Sequence, residues 1–407
     1  RDAQESRGLG DVYKRQEIVI LNSVLYLFTL YKHYKETQKL DFAFVVLAVY
    51  AFVAVMGVFY YSMEPSIQGN ITLFPLIYLF GIFLIFIYPF RNKGIKIDRF
   101  EIENRGLFNI FLIIFLVSSI VSVVSTFSSS YQVFLTNDWD AVYQEEDKIM
   151  YNNQFERLAK NITGYGGSLA CIISFYYLSL SDIAKKWKYL AIASIVLIIF
   201  SGFLNASMMA ARGMALKVIF LVLTVFMLFK DRLDSKLTKK VFIYGTLLFI
   251  VYFAYSSIIA TARFDVVGSN YNANQSMIAY LGMPMLKFDY GIMDSIHSYM
   301  HGDFILGTNG NKYYSGLDSI LGTHVGTAFC TFIGNLYMDF GPIGTLLIAI
   351  VVSAIFSRKI YIKDLADAYI MCFYFQFIMD GVFVYGRGYY FKWLVAIIIY
   401  IILKRIK

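Results

Sequence analysis

The sequence predicts an all-α, polytopic integral membrane protein that crosses the bilayer about eleven times. Three observations carry this prediction: 58% of the 407 residues are hydrophobic, only 16% are charged, and long apolar runs recur along the whole chain. A soluble domain has about 25% charged residues, so a chain this poor in charge cannot cover a surface that faces water. Helices satisfy every backbone polar group within lipid, and the apolar runs lack the alternation of barrel strands.

A helix needs about 20 apolar residues to cross a bilayer, and the first candidate is short. The predicted spans are 17–31, 41–61, 71–90, 107–126, 163–182, 189–206, 210–229, 241–260, 332–356, 366–385 and 389–403. We expect a single membrane domain over 17–407. Residues 1–16 are polar and resemble translated adapter sequence, so they are interpreted as a non-native extension, with one helix lost upstream.

The distribution of Lys and Arg predicts the orientation. Alternate connecting segments carry 22 basic residues against 9 in the others, although the second set is longer. Basic loops stay in the cytoplasm, so we expect a cytoplasmic C-terminus and two long external loops, 127–162 and 261–328. No predicted cytoplasmic loop exceeds 16 residues and no GxxxxGK[ST] occurs. This excludes a nucleotide-binding domain, and the scattered basic groups do not predict nucleic-acid binding.

The predicted external loop 261–328 concentrates polar and aromatic residues. It holds nine Tyr or Phe residues, nine Gly residues and three of the four histidines. Aromatic faces stack on sugars while neighbouring polar groups donate and accept hydrogen bonds; the alternative is a packed aromatic cap. In the other loop, Trp139 stands between two acids, which suits either sugar binding or an interfacial anchor.

Arginines are scarce on the predicted external side. Arg212 begins one span, Arg263 follows another, and Arg387 lies between the last two. Guanidinium groups bind phosphate with two hydrogen bonds and keep their charge. We therefore expect the three to converge on an anionic lipid headgroup; the alternative is that each extends singly to lipid phosphates.

Two acids fall inside predicted spans, and a carboxylate in the membrane marks a functional site by default. Asp339 precedes Gly341 and Pro342, which we expect to kink the helix. Asp380 stands seven residues before Arg387, so the two could pair across two helical turns. His297 and His301 share one helical face but lack the glutamate of a zinc-protease motif, so no metal site is predicted. His324 is a candidate general base or a simple hydrogen-bond donor.

The run 324–344, HVGTAFCTFIGNLYMDFGPIG, resembles the Thr…Tyr-x-Asp-Phe-Gly-x-x-Gly stretch of bacterial oligosaccharide repeat-unit polymerases, the Wzy-type O-antigen and capsule polymerases. In that family this stretch also follows a long external loop and opens the next span. The Ala211-Arg212-Gly213 element is similar to one that these polymerases share with O-antigen ligases. The resemblance implies a GT-C-like, multi-span glycosyltransferase in the bacterial cytoplasmic membrane.

The resemblance further implies transfer of a growing glycan from undecaprenyl pyrophosphate to a new lipid-linked repeat, without a metal, nucleotide sugar or other cofactor. Arg212 and Arg263 would bind the pyrophosphate, Arg263 would also stabilise the leaving group, and Arg387 would assist. His324 or Asp339 would orient or deprotonate the acceptor. The remaining candidate substrate contacts are Tyr337, Asp380 and Trp139. The expected partners are the lipid-linked oligosaccharide, membrane lipids and a chain-length regulator protein.

Three other functions fit some of these observations. An O-antigen ligase would pass the glycan to a different acceptor, and the Asp-Phe-Gly stretch favours the polymerase over it. A flippase for lipid-linked oligosaccharides would need charges along a central path, and Lys217 is the only basic residue deep in a predicted span. A structural membrane component would leave the external arginines and the intramembrane acids without a role.

Overall fold

The fold is given by a computed structural model in which part of the chain is described. The backbone is described for residues 2–64, 67, 71–97, 100–102, 104–136, 153–209, 211–264, 272–293, 296, 299–302, 331–383 and 389–406. Within these ranges, the side chains of 2–14, 92–93, 134, 263–264 and 389–390 are not described.

Helices form nearly all of the described structure. The α-helices are α1 (Asp2–Thr37), α2 (Phe42–Met63), α3 (Leu73–Lys93), α4 (Arg105–Thr136), α5 (Gln154–Ser179), α6 (Lys185–Met208), α7 (Arg212–Phe229), α8 (Ser235–Phe264), α9 (Ala273–Lys287), α10 (Phe332–Ser357), α11 (Leu365–Asp380) and α12 (Tyr389–Arg405). A 3-10 turn follows α7 at Lys230–Arg232, and a π-helix, Phe288–Met293, continues α9. Two short strands, β1 (Lys96–Ile97) and β2 (Tyr361–Ile362), form a two-stranded sheet.

Seven of the described helical stretches are long and apolar enough to cross a bilayer. They are Phe42–Met63, Leu73–Arg91, Arg105–Val133, Lys185–Met208, Arg212–Arg232, Ser235–Ala262 and Phe332–Ser357. Each overlaps a predicted span, and the prediction of an all-α membrane protein with several spans is confirmed. The total of eleven spans stays a prediction.

The predicted external loop 261–328 contains helical structure in its first part, and its external position stays a prediction. Helix α8 continues to Phe264, and α9 with its π-helical extension occupies 273–293. The reason is tertiary: Gly282 lets α9 approach the backbone of α2 so closely that a β-carbon there would lie 2.3 Å from the Met56 carbonyl oxygen. Small residues allow helices to pack this closely in membranes.

The segment assigned to a non-native extension, 1–16, is helical from residue 2 and continuous with the first predicted span in α1. Near the other end of α1, the buried His33 ring hydrogen-bonds the Asp41 carboxylate at 2.9 Å. Asp41 is also the N-cap of α2, because its side chain accepts a hydrogen bond from the Phe44 N–H. One carboxylate therefore fixes both the start of α2 and its connection to α1.

The chain divides into two compact units. Unit 1 comprises residues 1–96, 275–361 and 377–399, and unit 2 comprises 97–274, 362–376 and 400–407. In unit 1, α1 packs on α2 and α3 on α10. The buried rings of Tyr50 and Phe83 stack with centroids 3.9 Å apart, and the Tyr50 hydroxyl donates to the Ile378 carbonyl at 3.0 Å.

Unit 2 is organised around helices α4 to α7, with α8 packed on α7. The buried rings of Phe100 and Tyr176 meet edge to face, and the Tyr177 hydroxyl donates to the Asn109 amide oxygen at 2.7 Å. The hydroxyl of a buried Tyr usually has a hydrogen-bond partner. Glycines lie on the faces of α5 and α6 that surround a cavity described below.

Candidate functional site

Helix α10 of unit 1 carries the motif on which the family resemblance rests, and it is broken in the middle. Gly341 has φ 64° and ψ −172°, so the helix consists of two halves that meet at this residue. A positive φ of this kind favours glycine, and the following Pro342 cannot continue the helical hydrogen bonds. The predicted kink is confirmed.

The kink frees two carbonyl groups, and a separate segment of the chain hydrogen-bonds to both. In a regular helix the Met338 and Asp339 carbonyls would accept from residues 342 and 343, but Pro342 has no N–H. The Met300 N–H donates to Met338 at 3.1 Å, and the His301 N–H donates to Asp339 at 2.8 Å. The backbone beside Asp339 is therefore held by residues from the predicted external loop.

Aromatic rings surround the kink. The Tyr337 ring meets the rings of Tyr78, Phe288 and Tyr299 edge to face, with centroids 5.6 to 6.0 Å apart. The Tyr78 hydroxyl donates to the Pro342 carbonyl at 2.7 Å, which satisfies another group at the break. Tyr337, a predicted substrate contact, is almost fully buried, so in this structure it packs the kink.

The first half of α10 has a buried polar stripe. Thr331, Asn335 and Asp339 follow at intervals of four residues and share one helical face, and each is at most 1% exposed. Thr331 caps the helix by accepting from the Gly334 N–H at 3.3 Å. A carboxylate inside a membrane span marks a functional site by default, which favours a functional role for this face. The sequence analysis missed Thr331 and Asn335, although their spacing from Asp339 was visible.

Asp380 is the last residue of α11 and is also buried. The helix ends there because Gly381 and the two residues after it form a turn. The Gly381 carbonyl accepts from the Phe332 N–H at 2.7 Å, so Asp380 lies next to the beginning of α10. Residues 381–383 form a turn after Asp380, and Arg387 is outside the described residues, so the pairing of Asp380 with Arg387 stays a prediction.

Lys287 and Asp289 are two further buried ionisable residues that the sequence analysis did not single out. The Asp289 carboxylate accepts from the Thr72 N–H at 2.6 Å and from the Thr72 hydroxyl at 3.1 Å. Thr72 is the N-cap of α3, where a negative charge is favourable. Two charges inside the apolar run 276–293 were the available signal, but the segment was interpreted as loop.

Arg212 is the first residue of α7 in unit 2, as predicted, and is 6% exposed. The alternative in which it extends singly towards lipid does not agree with this burial, because a snorkelling side chain ends in water or among headgroups. Arg212 therefore belongs to the interior of its unit.

The side chains of the remaining predicted site residues are outside the described part of the chain. Arg263 lies in the last turn of α8, inside the helix rather than beyond its end, and its side chain is outside the described residues. His324, Arg387 and Trp139 are outside the described residues altogether. Convergence of the three arginines stays a prediction. Within the described part of the chain, no group of three or more His, Cys, Asp or Glu residues could hold a metal ion.

Comparison of the chain with protein-family models, with curated proteins and with solved structures finds no match. The fold and the site therefore rest on the residues and contacts described above.

Proposed function

We propose that this chain is a polymerase of lipid-linked oligosaccharide repeats, which transfers the growing glycan from undecaprenyl pyrophosphate to a new lipid-linked repeat. The reaction would take place at the outer face of the bacterial cytoplasmic membrane, with the C-terminus inside and about eleven spans in a GT-C-like arrangement. The bond between the first sugar and pyrophosphate breaks, the acceptor hydroxyl bonds to that sugar, and the hydroxyl proton leaves to a base.

The observation that carries the proposal is the structure of the Tyr337–Gly344 stretch. The residues that resemble the polymerase motif form a kinked helix whose first half buries Asp339 and Asn335 on one face. Backbone hydrogen bonds from 300 and 301 hold this kink. A broken membrane helix with a buried acid is typical of a site rather than of a plain span.

The burial of Arg212 is a second support. A buried guanidinium at the beginning of a helix adds its charge to the positive end of the helix dipole. The guanidinium charge and the helix dipole both favour binding of a pyrophosphate, which the proposed reaction must hold and release. In this assignment Arg212 binds the donor; Asp339, Arg263, Arg387 and His324 stay candidates on the family resemblance.

Deletion of the gene from a strain that carries it tests the proposal. Loss of a polymerase leaves surface glycan of single repeats on a gel, and the wild-type gene restores the ladder. Long chains that stay attached to the lipid carrier would instead identify a ligase, and repeats trapped inside the cell would identify a flippase. Either of those results overturns the proposal.

Complementation with Arg212 variants tests the assignment of the donor site. We expect Arg212→Ala to leave single repeats. Arg212→Lys keeps the charge but cannot donate two parallel hydrogen bonds, so we expect it to give short chains. Lys239→Ala, which removes an exposed cation in the first turns of α8, is the matched control and should give the full ladder. A full ladder from Arg212→Ala, at normal protein level, would remove this residue from the site.

A further inference from the structure

A cavity of about 250 Å³ lies inside unit 2, between helices α4, α5, α6 and α7. All the lining residues belong to this unit. Polar groups on one side come from α4, α5 and α6: Ser122, Lys160, Thr163, Ser201 and Asn205. Met214, Val218 and Leu221 of α7 form an apolar wall.

The space is a partly open pocket. Gly167 lines it and is buried, yet a β-carbon on Gly167 would meet no atom within 4 Å. Gly164, one turn earlier, lies at its exposed side. The volume is just below the roughly 300–1,000 Å³ of sites for drug-sized ligands, so it fits one compact ring rather than a chain.

One buried polar residue lines the cavity from α4. Ser122 is 1% exposed, and its carbonyl accepts hydrogen bonds from the Ser125 hydroxyl at 3.1 Å and the Thr126 hydroxyl at 2.7 Å. The Ser122 hydroxyl is a second polar group of this residue, and a hydroxyl both donates and accepts. A ligand hydroxyl in the cavity can pair with it in either role.

The other polar groups present a mixture of donors and acceptors. The Thr163 hydroxyl donates to the Ala159 carbonyl at 2.9 Å, so towards the cavity it can only accept. The Asn205 amide donates one of its two N–H groups to the Ser201 oxygen at 3.4 Å. This leaves the Asn205 carbonyl oxygen as an acceptor, and the second Asn205 N–H and the Ser201 hydrogen as donors. A phosphate has only acceptors and would be repelled by two of these groups, whereas a sugar hydroxyl both donates and accepts.

We propose that this cavity binds one sugar residue, with its hydroxyls on Ser122, Thr163, Ser201 and Asn205 and its C–H face on the wall of α7. That the sugar belongs to a lipid-linked glycan rests on the proposed function. The cavity would then hold one sugar of the donor or acceptor repeat at a fixed position during transfer.

Filling the void without disturbing the bundle tests the proposal. Gly167→Leu adds a side chain at a position where no atom lies within 4 Å of the β-carbon. Gly245→Leu is the matched control, because Gly245 is also helical and open but lies in α8 and does not line the cavity. Ser122→Ala removes the hydroxyl with little change in volume.

The full chain in lipid nanodiscs is mixed separately with N-acetylglucosamine, galactose, glucuronic acid and inorganic phosphate, and binding is followed by saturation-transfer NMR. We expect at least one sugar to bind the wild type and the Gly245→Leu control. Binding should fall by about tenfold or more in Gly167→Leu and by less in Ser122→Ala. Binding of phosphate alone, of no sugar, or of sugar equally by Gly167→Leu overturns the proposal.

These results are independent of the test of function. If sugar binding depends on Gly167 but gene deletion leaves the glycan ladder unchanged, the polymerase proposal fails and the sugar site stands. If deletion leaves single repeats but no sugar binds, the sugar site fails and the polymerase proposal stands.

Discussion

The ring of Tyr299 fills the space that a side chain on Gly341 would need. A β-carbon at Gly341 would lie 2.7 Å from Cζ of Tyr299 and 2.8 Å from Cε2. The positive φ of Gly341 adds strain for any residue with a side chain. The break in α10 thus depends on the absence of a β-carbon and on a ring from a distant segment.

Gly341→Ala is expected to lower the stability of the protein by about 1–3 kcal/mol, because overpacking and a forced positive φ act together. The measurement is the apparent melting temperature in detergent. Gly81→Ala, in open space in α3, is the control and should melt at or above the wild-type temperature. Adding Tyr299→Ala should restore part of the loss, since it removes the clash but leaves the strain. A wild-type melting temperature for Gly341→Ala would contradict this account.

The kink shows what local sequence can predict. Gly341 and Pro342 determine a break through their own backbone limits, so the break was predictable without knowledge of any partner. The polar face of α10 was half predicted, because Asp339 was noticed as an acid in a span while the i+4 spacing of Asn335 was not followed. The ring of Tyr299 comes from a segment without a periodic pattern, so no sequence rule indicated its contact.

Helix α9 shows where local sequence fails. Gly282 and Pro284 are typical of loops, and Lys287 and Asp289 argue against a membrane segment. In the structure the glycine permits close packing on α2 and Asp289 binds the beginning of α3. These partners lie more than 200 residues away along the chain, and a rule that considers neighbouring residues cannot include them.

Gly282→Ala is expected to be more damaging than a change at most other glycines. The new β-carbon would lie 2.3 Å from the Met56 carbonyl oxygen and 2.6 Å from its carbon, and backbone atoms cannot move aside as a side chain can. We expect about 2–4 kcal/mol of destabilisation, above the usual range for point changes. Thermal unfolding and the yield of monodisperse protein are the measurements. Gly202→Ala is the comparison, because its clash is with the Val218 side chain and Val218→Ala should relieve it.

Asp339→Asn tests whether the buried acid works in catalysis. The change keeps the size of the side chain and one acceptor oxygen, but it removes the charge and replaces the other oxygen by a donor NH2 group. We expect the protein to fold and glycan elongation to fall by about 100-fold or more. Chain length in the complemented strain and the melting temperature are measured together. Asp182→Asn, at an exposed ion pair with Arg105, should change neither. Normal chain length in Asp339→Asn would assign this residue to structure alone.

Asn335→Ala tests whether Asn335 positions Asp339. Asn335 is buried one turn before Asp339, and its amide is well placed to act on the same polar face. If it positions Asp339, the variant should shorten the glycan while a conservative Asn335→Gln restores part of the length. A lower melting temperature with unchanged chain length would instead show that Asn335 only stabilises the half-helix.

Lys404 joins the end of α12 to the beginning of α11 within unit 2, beyond the predicted last span. Its ammonium lies 2.6 Å from the Asp364 carboxylate and 3.1 Å from that of Asp367. Partial burial by itself lowers the pKa of Lys404, but the hydrogen bonds and charges of the two carboxylates outweigh it and raise the pKa above the ordinary 10.5. The ion pair therefore stabilises the folded state wherever lysine is protonated.

Lys404→Met should lower stability by about 0.5–1 kcal/mol, since the side chain is 31% exposed and solvent screens the pair. The folded-state pKa is the higher one, so the contribution is complete below pH 10.5 and is lost as pH rises through the raised value. The difference in melting temperature between wild type and Lys404→Met should stay constant through neutral pH and shrink in strong alkali. Lys32→Met removes a pair whose partners are 54% and 57% exposed and should have little effect at any pH. A difference that grows in alkali would contradict the raised pKa, because it would show that the folded protein holds Lys404 in its neutral form.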